Sequence, residues 1–220
     1  MSQFTRTINI SCKDLGGSAP IFLLLTFDDQ PMQGIYKDYF PVVWRLATFM
    51  PEGSYVMTAT YNNQLVFVNP KIEYGNVTSA ATWINIDPGE QTELTEQSDS
   101  ATKSFTQPTD GAGDNTVKAT NKTQNPQTIG VGFDNGNSDI QPPTLLVFNE
   151  TGSGHNVTAE FTPTLSAYVV GGYQEGSILR GAIATPAAWK RDLAALPETS
   201  NWKLERQGDP VFGKYSITAA

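Results

Sequence analysis

The chain contains one cysteine, Cys12, and one histidine, His155. A single cysteine closes no intrachain disulfide, and one His with one Cys cannot fill a tetrahedral zinc site. The G-x-S-x-G, H-E-x-x-H and Walker patterns are all missing, so the usual sequence carriers of hydrolase, metalloprotease and nucleotide chemistry are not present. Charge is sparse, at 16% of residues against about 25% in a typical soluble domain. Basic residues are the scarcer sign, with 14 Lys and Arg against 22 Asp and Glu, a net charge of −8. They are also scattered, which argues against nucleic acid and against an anionic membrane surface as partners. Long apolar runs are lacking too. The longest, Ile21 to Leu25, is far short of the roughly 20 residues that span a bilayer as a helix. The N-terminal MSQFTRTINISC carries no basic-then-apolar leader, and a cytoplasmic location is expected.

Period-two patterning dominates what is present. Phe4, Arg6, Ile8, Ile10 and Cys12 share one parity, with a single charged interruption at Arg6. Ile21 to Phe27 reads as a strand covered on both faces. Val42 to Phe49 carries Trp44, and Ser54 to Tyr61 alternates through Tyr55, Met57 and Ala59. Asn62-Asn63 reads as a two-residue hairpin turn back into Gln64 to Val68, because Asn tolerates positive φ. Ala80 to Ile86 is a further strand, with Trp83 expected in the core. After Gly89 the chain turns polar. Short strands are predicted near Thr92–Thr95 and Lys103–Thr106, within a partly mobile excursion over about residues 96–127. Ile129, Val131 and Phe133 then alternate with Gly130 and Gly132, and further runs follow at Val157–Phe161 and Leu165–Val169. Thr185 to Leu196 has a capping Thr, a Pro at the first helical position and Trp189, Leu193 and Leu196 on one stripe, which predicts one short helix. Trp202–Leu204 and Tyr215–Ile217 form a closing hairpin. The expected fold is a single all-β domain over 1–220, an antiparallel β-sandwich of the fibronectin or immunoglobulin kind or a relative of it. A homodimer is expected, because long β-proteins leave sheet edges to be covered.

Candidate sites are few. Asp134-Asn-Gly-Asn137-Ser-Asp139 places oxygen donors around a Gly turn, and Asp134, Asn137 and Asp139 are the candidate ligands for a divalent cation. The loop lacks the order and the distant Glu of an EF-hand, so a polar hairpin loop is the competing reading. His155 follows Gly152-Ser-Gly154 and reads as an exposed loop residue. Cys12 reads as a buried thiol. The five N-x-S/T sequons, starting at Asn9, Asn76, Asn121, Asn149 and Asn156, read as by-products of a Thr- and Asn-rich β sequence. The aromatic content stands out, with 4 Trp, 8 Tyr and 11 Phe. Tyr36, Tyr39, Tyr173 and Trp189 lie outside clear strands and are the candidate wall for a small, flat aromatic ligand.

Three stretches, Ala81–Thr92, Phe161–Tyr168 and Tyr173–Gly181 with Thr185–Trp189, resemble a group of β-sandwich proteins from mushroom fruiting bodies that includes a pink pigment-binding chromoprotein. The resemblance covers under a quarter of the chain. It implies an intracellular fungal protein holding an indolone-type chromophore without a covalent bond. The residues themselves support a non-enzymatic binding protein, with a lectin-like carbohydrate-binding or defence module as the alternative.

Overall fold

The computed structural model describes residues 3–97, 102–137, 139–208 and 214–220. In chain order its strands are β1 (Thr5–Lys13), β2 (Ile21–Thr26), β3 (Tyr39–Pro41), β4 (Val43–Phe49), β5 (Ser54–Asn62) and β6 (Leu65–Glu73). Then come β7 (Asn76–Ile86), β8 (Glu90–Glu96), β9 (Lys103–Phe105), β10 (Thr109–Asp110), β11 (Val117–Asn121) and β12 (Gly130–Phe133). The last six are β13 (Thr144–Phe148), β14 (Asn156–Ala159), β15 (Thr164–Val169), β16 (Trp189–Asp192), β17 (Thr199–Gln207) and β18 (Lys214–Ala219).

These strands form β-sandwiches in two halves. The chain's two ends make the first half, with β18-β17-β1-β5 facing β16-β15-β2-β4. Trp189 on β16 meets Trp202 on β17 edge-on at 5.1 Å, and Phe49 on β4 meets Tyr55 on β5 at 6.1 Å. The middle of the chain, joined by β3 from between β2 and β4, makes the second half. There β3-β13-β12-β6-β7 faces β10-β8-β11-β14, with β9 paired to β8. Phe67 on β6 stacks on Phe105 on β9 across that interface at 6.4 Å. Most pairs are antiparallel, but β1–β17 and β8–β11 run parallel. The polar excursion is thus built into a sheet through β9, β10 and β11; its residues 98–101 lie outside the described residues.

The alternation in β1 has its expected cause. Ile8, Ile10 and Cys12 point inward opposite Ala59, Met57 and Tyr55 of β5. Arg6 breaks the apolar parity because its Nε donates to Leu193 O at 3.1 Å, while its guanidinium lies over the Phe4 ring at 4.4 Å. One buried core runs through both halves. They join through Phe27, Trp44, Tyr61 and Phe133, where Trp44–Phe133 and Tyr61–Phe133 are edge-on at 5.5 and 5.0 Å. Such aromatic pairs contribute about 0.5–1.5 kcal/mol each beyond area burial.

Three sequence expectations are corrected. Residues 185–196 form no α-helix. Trp189–Asp192 is a strand paired to β15, followed by a single 3-10 turn, Leu193–Ala195, capped by Asp192 Oδ1 accepting from Ala194 N–H at 2.9 Å. An open edge of β15 and the Trp202 ring outweigh local helix preference here. Asn62-Asn63 is no hairpin turn, because β5 pairs with β1 whereas β6 pairs with β7 and β12 in another sheet. Trp83 is half-buried on an outer face with Val66, Val68 and Ala80, outside the main core.

Candidate functional site

Besides the pair that carries β3 over and back, two chain crossings connect the halves, and a cleft of about 260 Å³ opens between them. The first crossing is Asn62-Asn63-Gln64. Asn62 Oδ1 accepts from the Gln64 N–H at 2.8 Å, an Asx turn that redirects the chain out of β5. Asn63 clamps the N-terminal segment: Phe4 N–H donates to Asn63 Oδ1 at 2.6 Å, and Asn63 N–H donates to Phe4 O at 3.2 Å. That clamp sets the Phe4 ring 6.1 Å from Tyr61. The second crossing, 160–163, is pinned by Gln30, whose Nε2 donates to Thr162 O and whose Oε1 accepts from Thr162 N–H, both at 3.1 Å. Pinning Thr162 fixes Phe161 against Phe27 at 5.5 Å.

Phe4, Tyr61, Leu65 and Phe161 form the walls, with Pro88 and Pro163 beside them. Tyr61 is only 1% exposed. Burial first and the Asp192 carboxylate second push its phenol above the ordinary tyrosine range, so the hydroxyl keeps its proton at neutral pH. That hydroxyl donates to no described residue and is not sealed off, which leaves one donor open at an apolar wall. The rim is polar but largely engaged. Gln64 Nε2 donates to Ile86 O at 3.2 Å and Asp87 Oδ1 at 3.1 Å, and Gln64 Oε1 accepts from Gln3 Nε2 at 2.8 Å. The volume lies just under the roughly 300 Å³ lower end of ligand pockets, enough for a molecule of one or two rings. Junctions between packed units are a common location for such pockets.

The four aromatic residues singled out from sequence fall in three places. Tyr36 and Tyr173 come together on the outer face of β2, β4 and β15, packed with Tyr168 against Leu24, Val43 and Leu179. Tyr36 holds a positive φ of 63°, unusual for a non-glycine residue. Its phenol is pushed up to about 12 by burial and then by Asp28, Tyr39 and Tyr173. Tyr168 O–H donates to Asp28 Oδ2 at 2.5 Å. Tyr39 instead sits in the main core, 2% exposed, and donates to Met32 O at 2.9 Å. Trp189 is 4% exposed in the first sandwich, against Trp202.

In the loop after β12, Asp134 Oδ1 accepts from Gly136 N–H at 2.9 Å, and Asp134 Oδ2 accepts from Asn85 Nδ2 at 3.1 Å. Asn137 Oδ1 accepts from Asp139 N–H at 3.0 Å. Asp134 Oδ1 and Asn137 Oδ1 thus close Asx turns; Ser138 lies outside the described residues. Among the described residues no group of three or more His, Cys, Asp and Glu is placed to hold a metal ion. The carboxylates of Asp28 and Asp29 diverge, the first to Tyr168 and the second to Lys190 at 2.7 Å. Cys12 is buried, which raises its thiol pKa despite a backbone hydrogen bond from Tyr55 that lowers it.

Sequence reasoning missed Phe4, Tyr61 and Phe161 as a site because each sits on, or next to, an apolar strand parity. The available signal was the pair of polar crossings beside them, at 62–64 and 160–163. Among the described residues no helix is long and apolar enough to cross a membrane. Compared with known proteins, the chain matches no family model, no curated protein and no solved structure.

Proposed function

We propose that this is a non-enzymatic binding protein that holds a small, flat aromatic molecule, without a covalent bond, in the cleft between its two halves. The observation that carries the reading is Tyr61: a protonated hydroxyl on a buried ring, without an acceptor among the described residues, on a wall otherwise made of Phe4, Leu65 and Phe161. Stacking on the rings would supply affinity, and the one donor would select a ligand with a carbonyl or ring-nitrogen acceptor at its edge. An indolone-type pigment has this chemistry, a planar bicycle with one carbonyl, and fits the resemblance to the mushroom chromoprotein group.

The test is the visible absorption spectrum of the protein purified from its native source, with mass spectrometry of whatever denaturation releases. A released conjugated molecule that rebinds wild-type protein is expected. Tyr61→Phe should weaken its binding about tenfold, the worth of one buried hydrogen bond. A colourless protein that releases no small molecule sinks the pigment. Unchanged rebinding by both Tyr61→Phe and Phe161→Ala sinks the site.

The second reading is a lectin-like module, favoured by the amides and carboxylate of Asn63, Asp87 and Asn115 on the same rim. It ranks lower because sugars need several free donors, and Gln3 and Gln64 spend theirs on the protein. Specific binding on a glycan array, abolished by Phe4→Ala, would reverse the ranking.

A further inference from the structure

A second cleft, of about 240 Å³, lies in the first sandwich and shares no residue with the one between the halves. Its walls are the 17–22 stretch leading into β2, Val169 to Gly171 at the end of β15, and Arg206 with Tyr215 from the β17–β18 pair. Phe22, Val169 and Val170 give it an apolar side, while Ser18, Arg206 and Tyr215 make the rest of its lining polar. Phe22 is 36% exposed although its neighbours in β2 are fully buried.

Arg206 is the anomaly. It faces Tyr215 across the strand pair, and its guanidinium carbon is 5.8 Å from the ring centroid. Gly17, at a φ of 98°, lets the guanidinium approach the backbone, since a Cβ there would collide with Nη1. The side chain is thus positioned, yet its charge is unanswered. Its Nε is buried with no hydrogen-bond partner, and no described carboxylate forms an ion pair with it. The other arginines differ. Arg6 and Arg191 donate to backbone carbonyls, Arg45 pairs with Glu175, and Arg180 is an exposed side chain over Phe40.

We propose that this cleft binds a small monocarboxylate with an apolar body, its carboxylate on the Arg206 guanidinium and its hydrocarbon part against Phe22 and Val170. A planar guanidinium matches a carboxylate in both shape and charge. One cation in a protein of net charge −8 favours a monoanion over a dianion such as phosphate. The apolar side made by Phe22 and Val170 gives the hydrocarbon part of such a ligand its contact.

The test uses the whole chain, nitrogen-15 labelled, with benzoate as probe, benzyl alcohol as its neutral counterpart and inorganic phosphate as a third arm. Benzoate should shift the Arg206 Nε–Hε resonance saturably. Benzyl alcohol and phosphate should bind at least about tenfold more weakly, and Arg206→Gln should lose about tenfold in benzoate affinity. Phe22→Ala should weaken benzoate severalfold without touching the charge. The proposal is overturned by benzyl alcohol or phosphate binding as tightly as benzoate, by unchanged affinity in folded Arg206→Gln, or by no saturable shift up to about 10 mM. If Arg206→Gln does not fold, the three-probe comparison on wild-type protein still decides.

Discussion

Asn121 is fully buried, and all of its carboxamide is used. Its Nδ2 donates to Asn125 O at 2.9 Å and Thr151 O at 2.7 Å, while Oδ1 accepts from the N–H and the hydroxyl of Thr123 at 2.9 and 2.8 Å. The sequon it begins therefore serves the fold, through Asn and Thr together. Asn121→Leu strands several buried polar groups at once and should cost about 3 kcal/mol or more, read as a lower urea midpoint at unchanged m-value. A loss below about 0.5 kcal/mol would contradict this account. Tyrosines report on burial in the same way. Tyr36 is raised to about 12, and Tyr39, Tyr61 and Tyr168 are raised as well, with burial as the first cause in each. An unfolded tyrosine titrates near pH 10, so between about pH 10 and 12 the unfolded chain gives up protons that the folded chain keeps. Stability is therefore intact below pH 10 and falls as pH rises through that window. In an absorbance titration near 295 nm, four of the eight tyrosines should lag at about pH 11 and ionise only as the protein unfolds. Ionisation of all eight together near pH 10 would show these burials to be wrong.

The glycines of β12 show how an element's pattern can be read correctly and its reason missed. Ile129, Val131 and Phe133 face the core as their parity predicts. Gly130 and Gly132 were legible only as the other face, yet both are buried. The chain leading into β13 crosses that face, and a Cβ on Gly132 would collide with Pro143 O. Backbone cannot give way as a flexible side chain can, so Gly132→Ala should cost about 1–3 kcal/mol in chemical denaturation. A neutral effect would mean that the 142–144 segment is free to lift. The Trp189 segment taught the opposite lesson. Its cap, proline and apolar stripe were all real local signals, but β15 lacked a neighbour on that edge, and Ala167 pairs with Trp189 there. Pairing and the Trp189–Trp202 contact act on the assembled sheet, which a window of a dozen residues does not contain.

Across the whole molecule, the crossings at 62–64 and 160–163, with the excursion of β3, divide the strands into two halves, but the core does not divide with them. Phe27, Trp44, Tyr61 and Phe133 carry it across the junction. Unfolding should therefore be one cooperative transition, with tryptophan fluorescence and far-ultraviolet circular dichroism superimposed along the denaturant axis. Separate midpoints would show that the halves are independent. The sequence by itself determined the all-β class, the parity of most core residues in β1, β5 and β12, and the closing β17–β18 hairpin. Each of these depends on the two-residue period of a strand or on a nearby turn, and both are local. Which strands pair was decided only in three dimensions. Thr7 lies beside Thr199, Asn62-Asn63 crosses between sheets instead of turning back, and Phe4 meets Tyr61 at the mouth of the cleft. A period of two says which way a side chain points but not what stands opposite it. The candidate site is made of what stands opposite, so it could appear only once distant segments had been brought together.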